Sequence, residues 1–226
     1  MLKHLNDVNG QLILDVYDPA FESYGRIVKG YDVTDLVRYM EEHTEIPENG
    51  NIYIASVEEM ESFPVKKKIE AVLYGGMPVQ IGYCNGRNTT YNGFEYHKGS
   101  EINIAVSDFM LVLAHSRQIH NNTIRTEDAQ VFYVPKGTVI EMFQTTLHLS
   151  PCRVCDEGFR DVVILPKGTN TPLSEEEKQL RDQSADPEAR LLLQKNKWVL
   201  AHPEREPLIR QGAHPGLIGE NRELKY

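Results

Sequence analysis

Long apolar runs are missing from this sequence of 226 residues. No segment approaches the ~18 consecutive apolar residues of a membrane-spanning helix, and residues 1–7 contain no continuous apolar stretch of the kind found in a secretory signal. Cysteine is also scarce, since Cys84, Cys152 and Cys155 are too few and too unevenly spaced for a disulfide framework. These absences predict a cytoplasmic protein that has no membrane partner.

A surplus of positive charge is missing as well. The chain has 24 Lys and Arg residues against 33 Asp and Glu residues, which gives a net charge of −9. This charge disfavours non-specific binding to nucleic acid or to an anionic membrane. A small anionic substrate stays compatible with it, because such a ligand needs only a few local cationic side chains.

Short strand-like segments indicate a mainly β protein. Between residues 77 and 170, apolar runs of β character alternate with Gly, Pro, Asn and Asp at short intervals, which is typical of a β-sandwich or barrel. Residues 1–76 mix strand-like and helical patterns, and residues 171–226 contain helix signals and one late strand. We therefore predict a β core at 77–170, an N-terminal α/β segment packed on it, and a C-terminal extension.

The first candidate site lies in residues 93–106. Apolar residues such as Ile102 alternate there with polar ones as in a β-strand, so the opposite face collects Glu95, His97 and Glu101. Two carboxylates and an imidazole are costly to bury unless something binds them, and a divalent metal ion would do so. The same spacing also fits a polar strand edge that faces solvent, and spacing alone does not separate these two interpretations.

A second polar pair follows later in the chain. Glu141 lies shortly after a predicted turn at residues 135–137, and His148 follows it. Two strands of a barrel would bring this pair and the first cluster to one interior point. Glu141 and His148 are an odd number of residues apart, however, so one regular strand cannot direct both inward. A bulge near residues 145–146 is then required.

The combined spacing resembles the two sequence motifs of cupins. The residues concerned are, in order, Glu95-x-His97-x-x-x-Glu101, Pro135-x-Gly137 and a later His. The resemblance implies a double-stranded β-helix barrel, here with the N-terminal α/β segment and a helical C-terminal extension, in which both motifs hold one metal ion. Two positions depart from the pattern, because Glu95 occupies the place of the first His and no His closely follows Gly137.

A closer resemblance covers nearly the whole chain. Six segments are similar to a Firmicute family of cupin-type sugar isomerases that includes the sulfoquinovose isomerase of the transaldolase branch of sulfoglycolysis: residues 96–102, 132–138, 145–148, 165–170, 195–198 and 219–221. The resemblance implies a metal-dependent aldose–ketose isomerase that acts on an acidic hexose, most directly sulfoquinovose to sulfofructose through an enediolate. It also implies a homo-oligomer.

Isomerase chemistry suggests roles for the candidate residues. A divalent ion polarises the sugar carbonyl, and a carboxylate or imidazole beside it moves the proton. We expect His97, Glu101 and His148 to be metal ligands. Glu141 is either the fourth ligand or the catalytic acid/base, and Glu95 is the reserve for both roles. Mn²⁺ is the expected metal, and Fe, Co, Ni and Zn suit the same nitrogen and oxygen ligands.

Other interpretations stay open. Isomerase or lyase activity on a deoxy-uronate or a sugar phosphate is the alternative among enzymes, and a non-catalytic sugar-binding cupin is the alternative outside them. Three basic residues flank the predicted barrel mouth and are candidates for binding the anionic group, namely Arg87, Lys136 and Arg153. The sequence does not select one of them.

Overall fold

Short strands dominate the computed structural model, which describes residues 1–226. The strands are β1 (Ile13–Asp15), β2 (Gly25–Ile27), β3 (Asn51–Ile54), β4 (Val79–Gly86), β5 (Gly93–Tyr96), β6 (Glu101–Ala105), β7 (Phe109–His115), β8 (Ile124–Arg125), β9 (Gln130–Val134), β10 (Val139–Met142), β11 (Thr146–Leu147), β12 (Cys152–Arg153), β13 (Phe159–Pro166), β14 (Leu192–Gln194), β15 (Lys197–Ala201) and β16 (Leu217–Ile218). The α-helices are α1 (Leu2–Asn9), α2 (Thr34–His43), α3 (Glu58–Ser62), α4 (Val65–Lys68), α5 (Glu175–Gln183) and α6 (Glu206–Arg210). None of them has both the length and the apolar character needed to traverse a bilayer. The predicted mainly β architecture is confirmed.

Two sheets form the body of the molecule. The larger has six strands in the order β2-β10-β6-β13-β4-β3, and β6 runs antiparallel to β13 with Asn103 opposite Val163. The second contains β1, β9, β7 and β11 in that order, with β12 also paired to β7. Two smaller sheets have the orders β14-β15-β5 and β16-β8.

Strand alternation gives the six-stranded sheet an apolar outer face. In β6, Ile102 and Ile104 belong to the same buried cluster as Leu36 of helix α2. The alternate residues Glu101 and Asn103 therefore point to the opposite face, toward the second sheet. Every residue of β6 is buried, because helices cover one face and the second sheet covers the other. Polar residues on the inner face are thus withdrawn from bulk water.

An apolar cluster fills part of the space between the two sheets. Phe21, Phe109, Phe132 and Phe159 are almost fully buried in it. The rings of Phe21 and Phe132 meet edge to face with their centroids 5.4 Å apart, an arrangement that aromatic pairs favour. Burial of these side chains holds the sheets together.

Residues 93–106 form two strands, and the prediction of one continuous strand is wrong. β5 pairs with β15, whereas β6 pairs with β10 and β13. Gly99 lies in the turn between them, where a Cβ atom would come within 2.8 Å of the Pro166 side chain. A period of two in the sequence does not reveal that the chain changes sheets. As a result, Glu95 and Glu101 come from different sheets.

The segments on either side of residues 77–170 contribute strands to the sheets. β1, β2 and β3 pair with β9, β10 and β4 respectively. β15, from the C-terminal segment, pairs with β5. Both flanking segments therefore extend the sheets of the central one in addition to packing on it.

Candidate metal centre

Four side chains singled out in the sequence converge on one buried point. The ligand atoms of Glu95, His97 and His148 lie within 4.8 Å of one another. Glu101 completes the group, because its Oε2 atom is 3.2 Å from Nε2 of His148 and 3.4 Å from Nε2 of His97. All four residues are buried. We call them the His/Glu cluster.

Backbone pairing brings these distant parts of the chain together. The amide of His148 donates to the carbonyl of Glu95 at 3.0 Å, and the amide of Glu95 donates to the carbonyl of His148 at 2.5 Å. His148 follows β11 and does not continue β10, the strand of Glu141. The odd spacing between Glu141 and His148 therefore requires no bulge within one strand.

Backbone carbonyls orient both imidazoles. Nδ1 of His97 lies 2.7 Å from the carbonyl oxygen of Asn196, and Nδ1 of His148 lies 3.1 Å from that of Thr146. A carbonyl oxygen only accepts hydrogen bonds, so each Nδ1 carries a hydrogen and donates it. In the neutral imidazole the lone pair is then on Nε2, which is the atom that faces the cluster. Metal-binding histidines are commonly fixed in this way.

Mutual electrostatics keep both carboxylates ionised. Burial raises the pKa of Glu95, but the ammonium group of Lys197 and the imidazoles outweigh it and lower that pKa to about 2. Burial also raises the pKa of Glu101, and the imidazoles of His148 and His97 hold it well below its usual range. Burial lowers the pKa of His97, yet the carboxylates of Glu101 and Glu95 raise it to about 9.

The cluster fits a divalent metal ion. Nε2 of His97 makes no hydrogen bond although it is buried, and it stands 3.6 Å from Oε1 of Glu95 and 3.4 Å from Oε2 of Glu101. Ligand atoms about 2.1 Å from one ion lie roughly 3–4 Å from each other, so these separations suit atoms arranged around a cation. Imidazole nitrogen with carboxylate oxygen suits Mn, Fe, Co, Ni or Zn.

Glu141 lies outside the cluster, which corrects its predicted role as ligand or acid/base. Its neighbours in β10, Ile140 and Met142, face the apolar space between the sheets. By alternation Glu141 points to the opposite face, where its carboxylate forms a 2.7 Å ion pair with Arg26. The register of β10 therefore directs Ile140 and Met142 inward and Glu141 outward.

A cavity of about 170 Å³ adjoins the cluster. Its more exposed lining residues include Asn51, Tyr53 and Arg205. Its buried lining includes Glu95, Glu101 and His148 of the cluster, and the polar or apolar residues Cys84, Asn103, Leu111, Met142, Asp161 and Val163. A passage from a polar surface to the His/Glu cluster therefore exists in the fold.

Asn103 links the cluster to a second buried carboxyl group. Its Nδ2 atom donates to Oε1 of Glu101 at 3.0 Å and to Oδ2 of Asp161 at 2.8 Å. Asp161 is fully buried, and burial, reinforced by the charge of Glu101, raises the pKa of its carboxyl group well above the usual range. The carboxyl group of Asp161 therefore keeps its proton to a higher pH than that of Glu101 does.

Sequence reasoning missed several polar residues of this cavity. Asn103 follows Glu101 on the same face of a strand, so alternation had signalled its position. Asp161 interrupts the apolar strand β13, and a charged residue within such a strand is a signal in itself. The ammonium group of Lys197 lies 2.6 Å from Oε2 of Glu95. No sequence pattern indicated a role for Lys197, although it lies in the segment 195–198 that resembles the sugar isomerase family.

The three basic residues first considered for anion binding do not line the cavity. The guanidinium of Arg87 donates to the carbonyl of Pro47, Lys136 pairs with Glu41, and Arg153 lies over the ring of Tyr226. Each is committed to a local structural contact. The cations that do line the cavity are Lys197 and Arg205.

The fold and the cluster define a class: a mainly β protein with a buried nitrogen and oxygen site suited to a divalent metal. The chain belongs to the family described as a domain of unknown function (DUF4867), whose sequence model matches residues 13–222. No curated protein matches it.

Some solved structures are similar to part of the chain. A mutant of oxalate decarboxylase from Bacillus subtilis is 12% identical, with a TM-score of 0.31, and the match covers 43% of this chain and 24% of that one. A second mutant of the same enzyme covers 51% of this chain and 28% of its own, with 12% identity and a TM-score of 0.33. The 11S globulin from Wrightia tinctoria is 10% identical, with a TM-score of 0.29 and coverages of 42% and 22%. The chain thus spans about a quarter of the length of these proteins.

Replacing a ligand should remove the metal. We expect His148→Gln, which deletes one donor of the cluster, to lower bound metal from about one ion per chain to less than about a tenth of that. Elemental analysis of protein purified without chelator measures it. Glu141→Gln is the matched control and should keep its metal, because Glu141 lies outside the cluster. Metal loss from the Glu141 variant alone would reverse the two assignments.

Metal binding should release a proton. Because the pKa of His97 is raised to about 9 in the metal-free site, its imidazole carries an extra proton near neutral pH. A ligating imidazole is neutral, so binding near neutral pH releases about one proton, and this release declines as the pH rises through about 9. Calorimetric titration with Mn²⁺ in buffers of different ionisation enthalpy measures the number. Binding with no proton release near neutral pH contradicts ligation by His97.

Proposed function

We propose that this protein is a metal-dependent aldose–ketose isomerase of the cupin type that acts on an acidic hexose and most directly converts sulfoquinovose to sulfofructose. One observation carries the proposal: the His/Glu cluster adjoins a cavity that also contains the cations of Lys197 and Arg205. This combination suits a substrate that chelates a metal through its carbonyl and hydroxyl oxygens and carries an anionic group elsewhere.

Two features support the cupin assignment. The cluster unites residues from both cupin-like segments of the sequence, Glu95 to Glu101 in the first and His148 in the second. It also adjoins the space between two β-sheets, which is where a double-stranded β-helix barrel places its metal. The similarity to the Firmicute sugar isomerases adds the reaction and the substrate class to this proposal.

The chain's own residues supply the proton transfer. A bound divalent ion would act as a Lewis acid that polarises the substrate carbonyl and stabilises the enediolate. We assign His97, Glu101 and His148 as the metal ligands and Glu95 as the base, because Glu95 is ionised, lines the cavity and directs Oε2 to Lys197. Its carboxylate takes the proton from the carbon next to the carbonyl and returns it to the neighbouring carbon. One C–H bond breaks and another forms, a proton also passes from the neighbouring hydroxyl oxygen to the former carbonyl oxygen, and the molecular formula is unchanged.

Lys197 positions this base and offsets charge. Its ammonium group lies 2.6 Å from Oε2 of Glu95, while Oε1 of Glu95 faces His97 at 3.6 Å. One carboxylate oxygen is thus directed to the cluster and the other to the lysine. The same ammonium group would stabilise the negative charge that develops on the enediolate oxygens, because Lys197 lines the cavity in which the substrate binds.

Arg205 is the residue that we assign to the anionic group of the substrate. It is exposed, lines the cavity, and forms no ion pair within the chain. Lys197, the other cation of the cavity, is already in contact with Glu95. A guanidinium group that lacks a carboxylate partner remains free to bind sulfonate, phosphate or carboxylate oxygens with two parallel hydrogen bonds.

Turnover in deuterated water tests the reaction class. We expect Mn²⁺-loaded protein to convert sulfoquinovose to its ketose and to introduce deuterium at the carbon next to the carbonyl, because the enediolate is reprotonated by a group that exchanges with solvent. NMR spectroscopy measures both products. Glucose 6-phosphate and a deoxy-uronate serve as competing substrates in the same assay. Sugar binding without conversion of any of them would instead identify a non-catalytic sugar-binding protein.

Replacement of Arg205 tests the substrate charge. Arg205→Gln should raise the KM for sulfoquinovose by about tenfold or more, because a charge-assisted hydrogen-bonded contact is lost, while kcat changes less. Arg210→Gln is the matched control: it removes the same charge from helix α6, and Arg210 pairs with Glu206 away from the cavity. Equal effects of the two variants would mean that Arg205 acts only through net charge.

A further inference from the structure

Polar groups remain at the buried inner part of the cavity, beyond the His/Glu cluster. Asn103 is 2% exposed and Asp161 is 0% exposed, and both line the cavity. In the pairing of β6 with β13, Asp161 stands opposite Ala105. Ala105 and Phe159 both belong to the apolar cluster between the sheets. We call Asn103 and Asp161 the polar floor.

Each residue of the polar floor has one oxygen without a partner. The Nδ2 atom of Asn103 donates two hydrogen bonds, one to Oε1 of Glu101 and one to Oδ2 of Asp161. The contact with Glu101 fixes the amide orientation, because only the NH₂ group can donate to an ionised carboxylate. Oδ1 of Asn103 and Oδ1 of Asp161 are left buried and make no hydrogen bond. A buried oxygen of this kind destabilises the protein if it stays unpaired, so a ligand that pairs with it is favoured.

We propose, building on the isomerase function proposed above, that the polar floor binds a hydroxyl group of the sugar chain next to the metal-chelated oxygens and thereby selects polyhydroxylated substrates over deoxy analogues. A hydroxyl group is both donor and acceptor. A hydroxyl group held at the floor donates to Oδ1 of Asn103 and forms a hydrogen bond with the carboxyl group of Asp161. Neither residue belongs to the His/Glu cluster.

Other ligands suit the polar floor less well. An anion would meet the ionised carboxylate of Glu101, whose Oε1 is already bonded to Asn103. A second divalent cation prefers several ionised oxygen ligands, and the floor offers one carboxyl group, which burial keeps protonated, together with one amide oxygen. A neutral hydroxyl group requires no charge compensation.

The walls beside the floor suit a carbon chain. Leu111, Met142 and Val163 line the same cavity and are buried. They present apolar surface to the C–H groups of a sugar while the floor holds its oxygen. Sites built to bind a substrate hydroxyl discriminate strongly against an analogue that lacks it, because the protein's polar groups are then left unpaired.

The test uses a ligand that cannot isomerise. Glucitol 6-phosphate keeps the hydroxyl groups and an anion but has no carbonyl, and inorganic phosphate supplies the anion alone. Calorimetry with the Mn²⁺-loaded protein compares wild type, Asp161→Asn and Asp161→Leu, with metal content measured for each. Asparagine keeps the shape and a donor, so it is the matched control for leucine, which offers neither. Asp161→Ala replaces the leucine variant if that chain does not fold.

We expect Asp161→Leu to weaken binding of glucitol 6-phosphate by about tenfold or more, with phosphate binding and metal content unchanged. Asp161→Asn should stay within about threefold of wild type. Three outcomes overturn the inference: undiminished polyol binding by Asp161→Leu, which would mean that the floor holds only water; parallel loss of metal or phosphate; and an asparagine variant as weak as the leucine variant.

These measurements separate the polar floor from the isomerase proposal. Polyol binding that depends on Asp161 in a protein without turnover would reject the isomerase and retain the hydroxyl site. Turnover that persists in Asp161→Leu with unchanged affinity for glucitol 6-phosphate would retain the isomerase and reject the hydroxyl site. A 3-deoxy or 4-deoxy analogue of the substrate, used with wild-type protein, then identifies which hydroxyl group the floor binds.

Discussion

The paired backbone hydrogen bonds between Glu95 and His148 are the contact on which the site depends. They join the end of one small sheet to the segment after β11 and so place an imidazole beside a carboxylate from a distant part of the chain. Carbonyl oxygens of Asn196 and Thr146 then fix the rings, so that both Nε2 atoms face inward. The geometry of the cluster is thus determined mainly by main-chain atoms, which side-chain substitution changes little.

Burying two carboxylates requires the rest of the fold to compensate. Desolvation opposes ionisation of Glu95 and Glu101, and the imidazoles with Lys197 outweigh it. The aromatic and aliphatic side chains packed between the sheets stabilise them. This apolar packing offsets the cost of the unpaired polar atoms that the site retains.

The cavity is graded in charge along its length. Arg205 lies at its exposed part, the His/Glu cluster forms part of its buried wall, and Asp161, neutral because of burial, lies beyond Asn103. Each zone suits a different part of an acidic sugar: the anionic group, the carbonyl with its neighbouring hydroxyl, and a further hydroxyl.

The sequence by itself determined the mainly β character and four members of the cluster, because alternation and the clustering of Glu and His depend on residue order alone. It could not place Glu95 and Glu101 in different sheets, since the turn at Gly99 interrupts a pattern that is otherwise continuous. It also could not exclude Glu141, whose orientation depends on the register of β10 against β2 and β6. Lys197, Asp161 and Arg205 joined the site only through tertiary structure. The distance between side chains on separate strands is set by long-range strand pairing, and the local sequence pattern does not determine that pairing.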